Sequence, residues 1–177
     1  TQLDLEMSFV EEEDILQLLE ELYTSMVAAI KPEMGVVKPF PRLTYAEAME
    51  RYGTDKPDLR FSLELRDLTD VAAQSDFSVF RSAIAQGGKV KGICAPGCGD
   101  YSRSQLDELN KLAQGLGAGG LVTMSLGTAG GSLSDLTIDR VKSVAARFLT
   151  LEQIKLMAHR LGADIGDLLL IVAGKPK

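Results

Sequence analysis

The sequence predicts an α+β chain in two parts: a strand-and-helix segment over residues 1–67, then a two-layer α+β module over residues 68–177. Three observations carry this. From Gln2 to Val10, Leu3, Leu5, Met7 and Phe9 alternate with polar residues, the period of a strand with one apolar face. Ile15, Leu18, Leu19, Leu22, Met26 and Ile30 recur at helical spacing. From about Leu68, acid-rich helical sequence gives way to short apolar runs separated by glycine, the pattern of strands and turns packed with helices.

Taken in order, Glu11 to Asp14 place four acids at the positive end of a helix that runs to Lys31 and stops at Pro32. Val36 to Leu43 is short and apolar but broken by Pro39 and Pro41, so it reads as an edge strand or an extended entry. Thr44 to Tyr52 is helical, and Gly53 ends it. Asp55, Lys56, Asp58 and Arg60 then crowd four charges around Pro57. Such a run stays at the surface or lines a polar site, because unpaired charge does not enter a core.

In the second part, Asp76 to Phe80 alternates and reads as a strand, with Lys89 to Ala95 as its antiparallel neighbour. Pro96 to Gly99 is a turn. Ser102 or Ser104 caps a helix whose Leu106, Leu109, Leu112 and Ala113 share a face, and Gly115 and Gly117 end it. Leu121 to Leu126 is a buried-type strand. A short helical piece before Leu149 leads to Thr150, a natural N-cap with Glu152 and Gln153 behind it, and the helix it starts stops at Gly162. Leu168 to Ala173 is so apolar that both faces of its strand should be covered.

Composition narrows the function classes. The 177 residues carry a formal net charge of -6, which argues against a nonspecific nucleic-acid binder but leaves room for a local basic patch. No apolar run approaches the roughly 20 residues that span a bilayer, so no membrane partner is expected. The chain opens on Thr1 with acids close behind, which predicts no signal peptide and an excerpt or processed product. Cys94, Cys98 and His159 are three groups where structural zinc wants four, so no metal site is expected and the cysteines read as reduced cytoplasmic thiols. The glycines of 115–120 and 127–131 lack the Gly-Lys-Ser/Thr ending of a nucleotide loop and read as turns. No Ser–His–Asp or Cys–His pairing is legible, and no catalytic residue is assigned.

Two stretches carry a family resemblance. The run from Arg51 to Arg60, Arg-Tyr-Gly-Thr-Asp-Lys-Pro-Asp-Leu-Arg, resembles the segment leading into the insertion domain of bacterial-type aspartyl-tRNA synthetases. Thr1 to Phe9 resembles the end of the second class II signature. The Lys-Val-Lys-Gly strand start, the Ser-Arg-Ser-Gln-Leu-Asp-Glu-Leu helix start, Gly119-Gly120-Leu121 and Ala145 to Leu149 resemble the GAD domain, shared by that synthetase and the B subunit of the tRNA-dependent amidotransferase. Cys94 to Gly99 and Gly127 to Ser134 match no landmark of that domain.

The resemblance implies a piece of class II antiparallel sheet followed by a GAD insertion domain. It implies a cytoplasmic, homodimeric parent that activates aspartate with ATP and Mg2+ and transfers it to aspartate tRNA. Gln2 and Asp4 would lie near the α-ammonium of aspartate, with a weaker claim for Glu6; Asp55, Lys56, Asp58 and Arg60 would form a loop near the cleft. The ATP-clamping arginine would precede Thr1 and the third signature would follow Lys177, so the chain alone should be inactive and bind no cofactor. The alternative reading is a non-catalytic tRNA-binding or spacer module like the GAD domain of the amidotransferase subunit.

Overall fold

In the computed structural model, residues 2–128 and 130–175 are described. The chain folds as two units, one up to Thr44 and one from Tyr45. The first is built on α1, Glu12–Ile30, whose first turn carries Glu12, Glu13 and Asp14. The Asp14 carboxylate accepts from the Glu11 N–H at 2.9 Å, closing a capping box. Arg42 pairs with Glu20 at 3.1 Å and Glu13 at 3.4 Å, clipping the proline-containing stretch onto the helix. Ile15, Leu19 and Leu22 are half-buried, whereas Leu18, Met26 and Ile30 of the same predicted face stand exposed.

One expected strand is absent from this unit, and of the two readings left open for Val36 to Leu43 the edge strand is not formed. Residues 2–10 form no ladder, and Leu3, Leu5, Met7 and Phe9 are all exposed, Phe9 fully so. Period two specifies which face a strand would bury, but a strand exists only where a neighbour supplies the other half of its hydrogen bonds. None of the described residues does so here. Val36 to Leu43 is likewise irregular, in keeping with two prolines that donate nothing.

The second unit is α+β, as expected. It begins with α2, Tyr45–Tyr52, ended by Gly53 at φ 72°, whose N–H reaches the Met49 carbonyl at 3.0 Å. Its four-stranded antiparallel sheet has the order β1-β2-β4-β3, from β1 (Arg66–Asp67), β2 (Lys89–Ala95), β3 (Val122–Ser125) and β4 (Leu168–Gly174). The helices are α3 (Thr69–Ala73), α4 (Ser78–Ala85), α5 (Arg103–Gly115) and α6 (Leu151–Arg160). Leu68, Phe80, Val90, Met124, Ile154 and Ile171 are fully buried in the core.

The expected strand at Asp76–Phe80 is a correction: Ser78 onward is α4. Phe77, Phe80 and Ile84 fall at helical spacing, and Phe77 meets Phe80 edge-on at 4.9 Å and stacks on Phe148 at 5.5 Å. The neighbours of β2 are instead β1 and β4. Ser102 and Thr150 cap α5 and α6 in full capping boxes with Gln105 and Gln153. Leu106, Leu109 and Ala113 of α5 are half-buried, but Leu112 is exposed. In β4, Leu168, Leu169 and Ile171 are buried while Leu170, Val172 and Ala173 are only half-buried, so one face of that strand is covered less than its composition suggests.

Candidate functional site

Each unit holds one of the two residue groups singled out in the sequence. In the first, the Gln2 amide donates to Asp4 Oδ1 at 2.7 Å, and both side chains are exposed on the irregular stretch. Asp4 is therefore a solvated carboxylate with a neutral partner, able to accept from an ammonium group.

In the second, the charged loop divides. Asp58 caps a single 3-10 turn, Leu59–Phe61, accepting from the Arg60 N–H at 3.0 Å. The Arg60 guanidinium then turns back onto the same carboxylate, at 2.8 Å and 3.1 Å from Nε. This side-chain pairing, with the backbone N–H, holds the Asp58 carboxyl down at about 2. The Arg60 guanidinium also lies 5.7 Å from the Phe61 ring centre. Asp58 and Arg60 are thus engaged with each other. Asp55 and Lys56 are exposed, and the Lys56 N–H reaches the Thr54 hydroxyl at 3.3 Å.

Behind this loop lies a network that sequence reading missed. Glu64 accepts from Arg51 at 2.7 Å and 3.2 Å, from the Tyr52 hydroxyl at 3.2 Å, and pairs with Arg66 at 2.9 Å. The Arg51 hydrogen bonds hold the Glu64 carboxyl below the ordinary glutamate range, outweighing partial burial. The network ties α2 to the strand that becomes β1. Arg51 lies thirteen residues from Glu64, a pairing no local pattern announces. Next to it, a cavity of about 320 Å3 is lined by residues including Phe61, Glu64, Arg66, Cys94 and Arg160.

The cysteine-containing turn is organised by Asp167, also missed. Its carboxylate accepts from the Gly97 N–H at 2.8 Å, the Asp164 N–H at 2.9 Å and the Cys94 thiol at 3.5 Å. Burial and that neighbouring carboxylate push the Cys94 thiol up to about 12, so it stays protonated. Gly99 passes so close that an added Cβ would lie 2.6 Å from the carbonyl oxygens of both Gly127 and Gly166. The Pro96–Gly99 turn therefore has a packing explanation.

Among the described residues no three His, Cys, Asp or Glu side chains gather to hold a metal ion. Arg51, Arg60, Arg66 and Arg160 are each tied to a carboxylate of the chain itself.

The second unit is thus a two-layer α+β fold with a network-braced polar loop. Residues 80–177 match the GAD domain family, and the chain belongs to it. It is 58% identical over all 177 residues to an "Aspartate--tRNA(Asp/Asn) ligase" of Dehalococcoides mccartyi strain CBDB1, covering 30% of that protein. Proteins of the same name from Moorella thermoacetica and Rubrobacter xylanophilus are each 47% identical over 175 residues, which cover 27% and 28% of their lengths. The chain thus spans about 30% of the length of the curated relatives it matches. Among the described residues, no helix is long and apolar enough to cross a membrane.

Proposed function

We propose that this chain works as a segment of an aspartate–tRNA ligase. Such an enzyme joins aspartate to tRNA at the expense of ATP, with Mg2+ neutralising the phosphates of the attacked nucleotide. The observation that carries the reading is 58% identity over the chain's whole length to a relative of that name. The relatives' names include both aspartate and asparagine tRNAs, and the same pair is proposed here.

In this reading residues 1–67 belong to the catalytic domain and residues 68–177 are the GAD insertion. Gln2 and Asp4 face the ammonium group of bound aspartate, which suits a solvated carboxylate braced by an amide. The 55–60 loop borders the cleft, with Lys56 the cation of that loop left without a carboxylate among the described residues. ATP and Mg2+ are handled by other parts of the synthetase, which acts as a cytoplasmic homodimer. The 177-residue chain by itself is inactive.

Aspartate-dependent ATP–pyrophosphate exchange tests this. The isolated chain should give none, while a synthetase containing it should exchange, and Asp4→Asn in that synthetase should raise the KM for aspartate more than that for ATP. Exchange by the isolated chain would overturn the assignment of catalysis elsewhere, and an unchanged aspartate KM would remove Asp4 from the site.

A further inference from the structure

The half-covered face of β4 opens into a groove of about 570 Å3, within the roughly 300–1,000 Å3 usual for ligand sites. Ala46, Met49 and Glu50 of α2 line it on one side and the Gly117–Gly119 turn after α5 on another, with Leu65, Val172 and Gly174 between. Lys91 and Val172 are register partners across β2 and β4, so their side chains share that face, opposite the buried Val90 and Ile171. Among the described residues no side chain fills the space at these points: a Cβ added at Gly119 or Gly174 would meet nothing within 4 Å.

The charge around the groove has the opposite sign to that of the molecule. Among the described residues Lys89, Lys91 and Lys175 line it against a single carboxylate, Glu50, in a chain of net charge -6. Lys91 is fixed, its ammonium 2.9 Å from both the Glu50 carboxylate and the Glu50 carbonyl oxygen. Lys89 reaches Asp67 at 3.3 Å and Glu50 at 3.9 Å. Lys175 pairs with no carboxylate among the described residues. Three cations against two acids leave an excess positive charge beside exposed apolar surface.

The geometry points to a docking groove for an acidic peptide segment, one apolar side chain seated on Met49, Leu65 and Val172 and flanking carboxylates on Lys89 and Lys175. A single RNA strand fits less well. Among the described residues no aromatic ring lines the groove for bases to stack on and no arginine fork lines it for phosphate, and Glu50 repels a polyanionic backbone. A peptide with isolated carboxylates around a leucine matches both the apolar lining and the spaced ammonium groups. This inference does not depend on the ligase reading.

Fluorescence anisotropy on the full chain tests it, with a labelled Asp-Leu-Asp-Leu-Asp peptide as probe. Its Lys-Leu-Lys-Leu-Lys and Asp-Ser-Asp-Ser-Asp counterparts and a labelled oligouridylate serve as the other arms. The Asp-Leu peptide should bind best, and binding should weaken as salt rises. The double variant Lys89→Ala, Lys175→Ala should weaken it by about tenfold or more. Gly119→Leu, which fills open space, should do the same with the circular dichroism spectrum unchanged, and Lys142→Ala, outside the groove lining, should have no effect. A flat titration, equal binding of the serine peptide, indifference to Gly119→Leu, or tighter binding of the oligouridylate would each overturn the proposal, the last by making the groove an RNA site.

Discussion

The two units use the same kinds of residue to opposite ends. In the first, leucines, methionines and a phenylalanine recur at regular strand and helix spacing, yet Thr24 is its one buried residue among those described. In the second, Phe80, Met124, Ile154 and Ile171 lose all contact with solvent, and four strands share one sheet. The difference is one of partners: a hydrophobic face lowers free energy only when something covers it, and the second unit brings its own cover.

The comparison breaks most readily in the core. Phe80→Ala should cost about 3–5 kcal/mol, a large share of a small domain's stability of roughly 5–15 kcal/mol. Urea denaturation followed by hydrogen exchange would locate the loss in residues 45–175 and leave α1 unchanged. Gly99→Ala should cost about 1–3 kcal/mol, since its Cβ must displace two carbonyl groups; a shift in urea midpoint reads it. Glu64→Gln should cost on the order of 1 kcal/mol at neutral pH by weakening the Arg51 and Arg66 contacts.

That last loss has a defined pH dependence. The Glu64 carboxyl is held below its ordinary range in the fold, so its contribution is full above the unfolded value of about 4.3 and fades as pH falls below it. Wild type and Glu64→Gln should converge in acid. Asp58 sharpens the same point: its NMR titration midpoint should sit near 2 and return toward the ordinary aspartate value in Arg60→Ala. The smallest effect belongs to the first unit, where Leu5→Ser and Ile30→Ser, both at exposed positions, should each change stability by about 0.5 kcal/mol or less. A loss comparable to that of Phe80→Ala would mean that this surface is already covered in solution.

Thiol chemistry gives an independent check. Cys94 is buried and its thiol pushed up to about 12, chiefly by that burial, so iodoacetamide at neutral pH should label Cys98 first, and Asp167→Ala should speed the labelling of Cys94 while leaving it slower than Cys98.

What was legible in the sequence follows the range of the interactions. Helix ends read well because caps are local: Ser102 with Gln105, Thr150 with Gln153, and Gly53 after Tyr52 each act within three or four residues. β2 and β4 were legible from composition. The Asp76–Phe80 error came from a short apolar run in which two periods fit, and the aromatic packing on Phe148 decided between them. At the candidate sites, the Asp58–Arg60 pair was visible as a charge cluster, but its closure on itself was not. Glu64, Asp167 and the lysine groove depend on residues 13 to 73 positions apart, and only the fold brings such residues together.

The strand order also bears on how the protein emerges during synthesis. β4 is last in the chain but lies between β2 and β3, with seven of its register positions on β2 and four on β3. Until Leu168–Gly174 is available, β2 and β3 have no common neighbour and the helices have no continuous sheet to pack on. A growing chain therefore carries about 120 residues of this unit without a finished core, and closes it in a single late insertion.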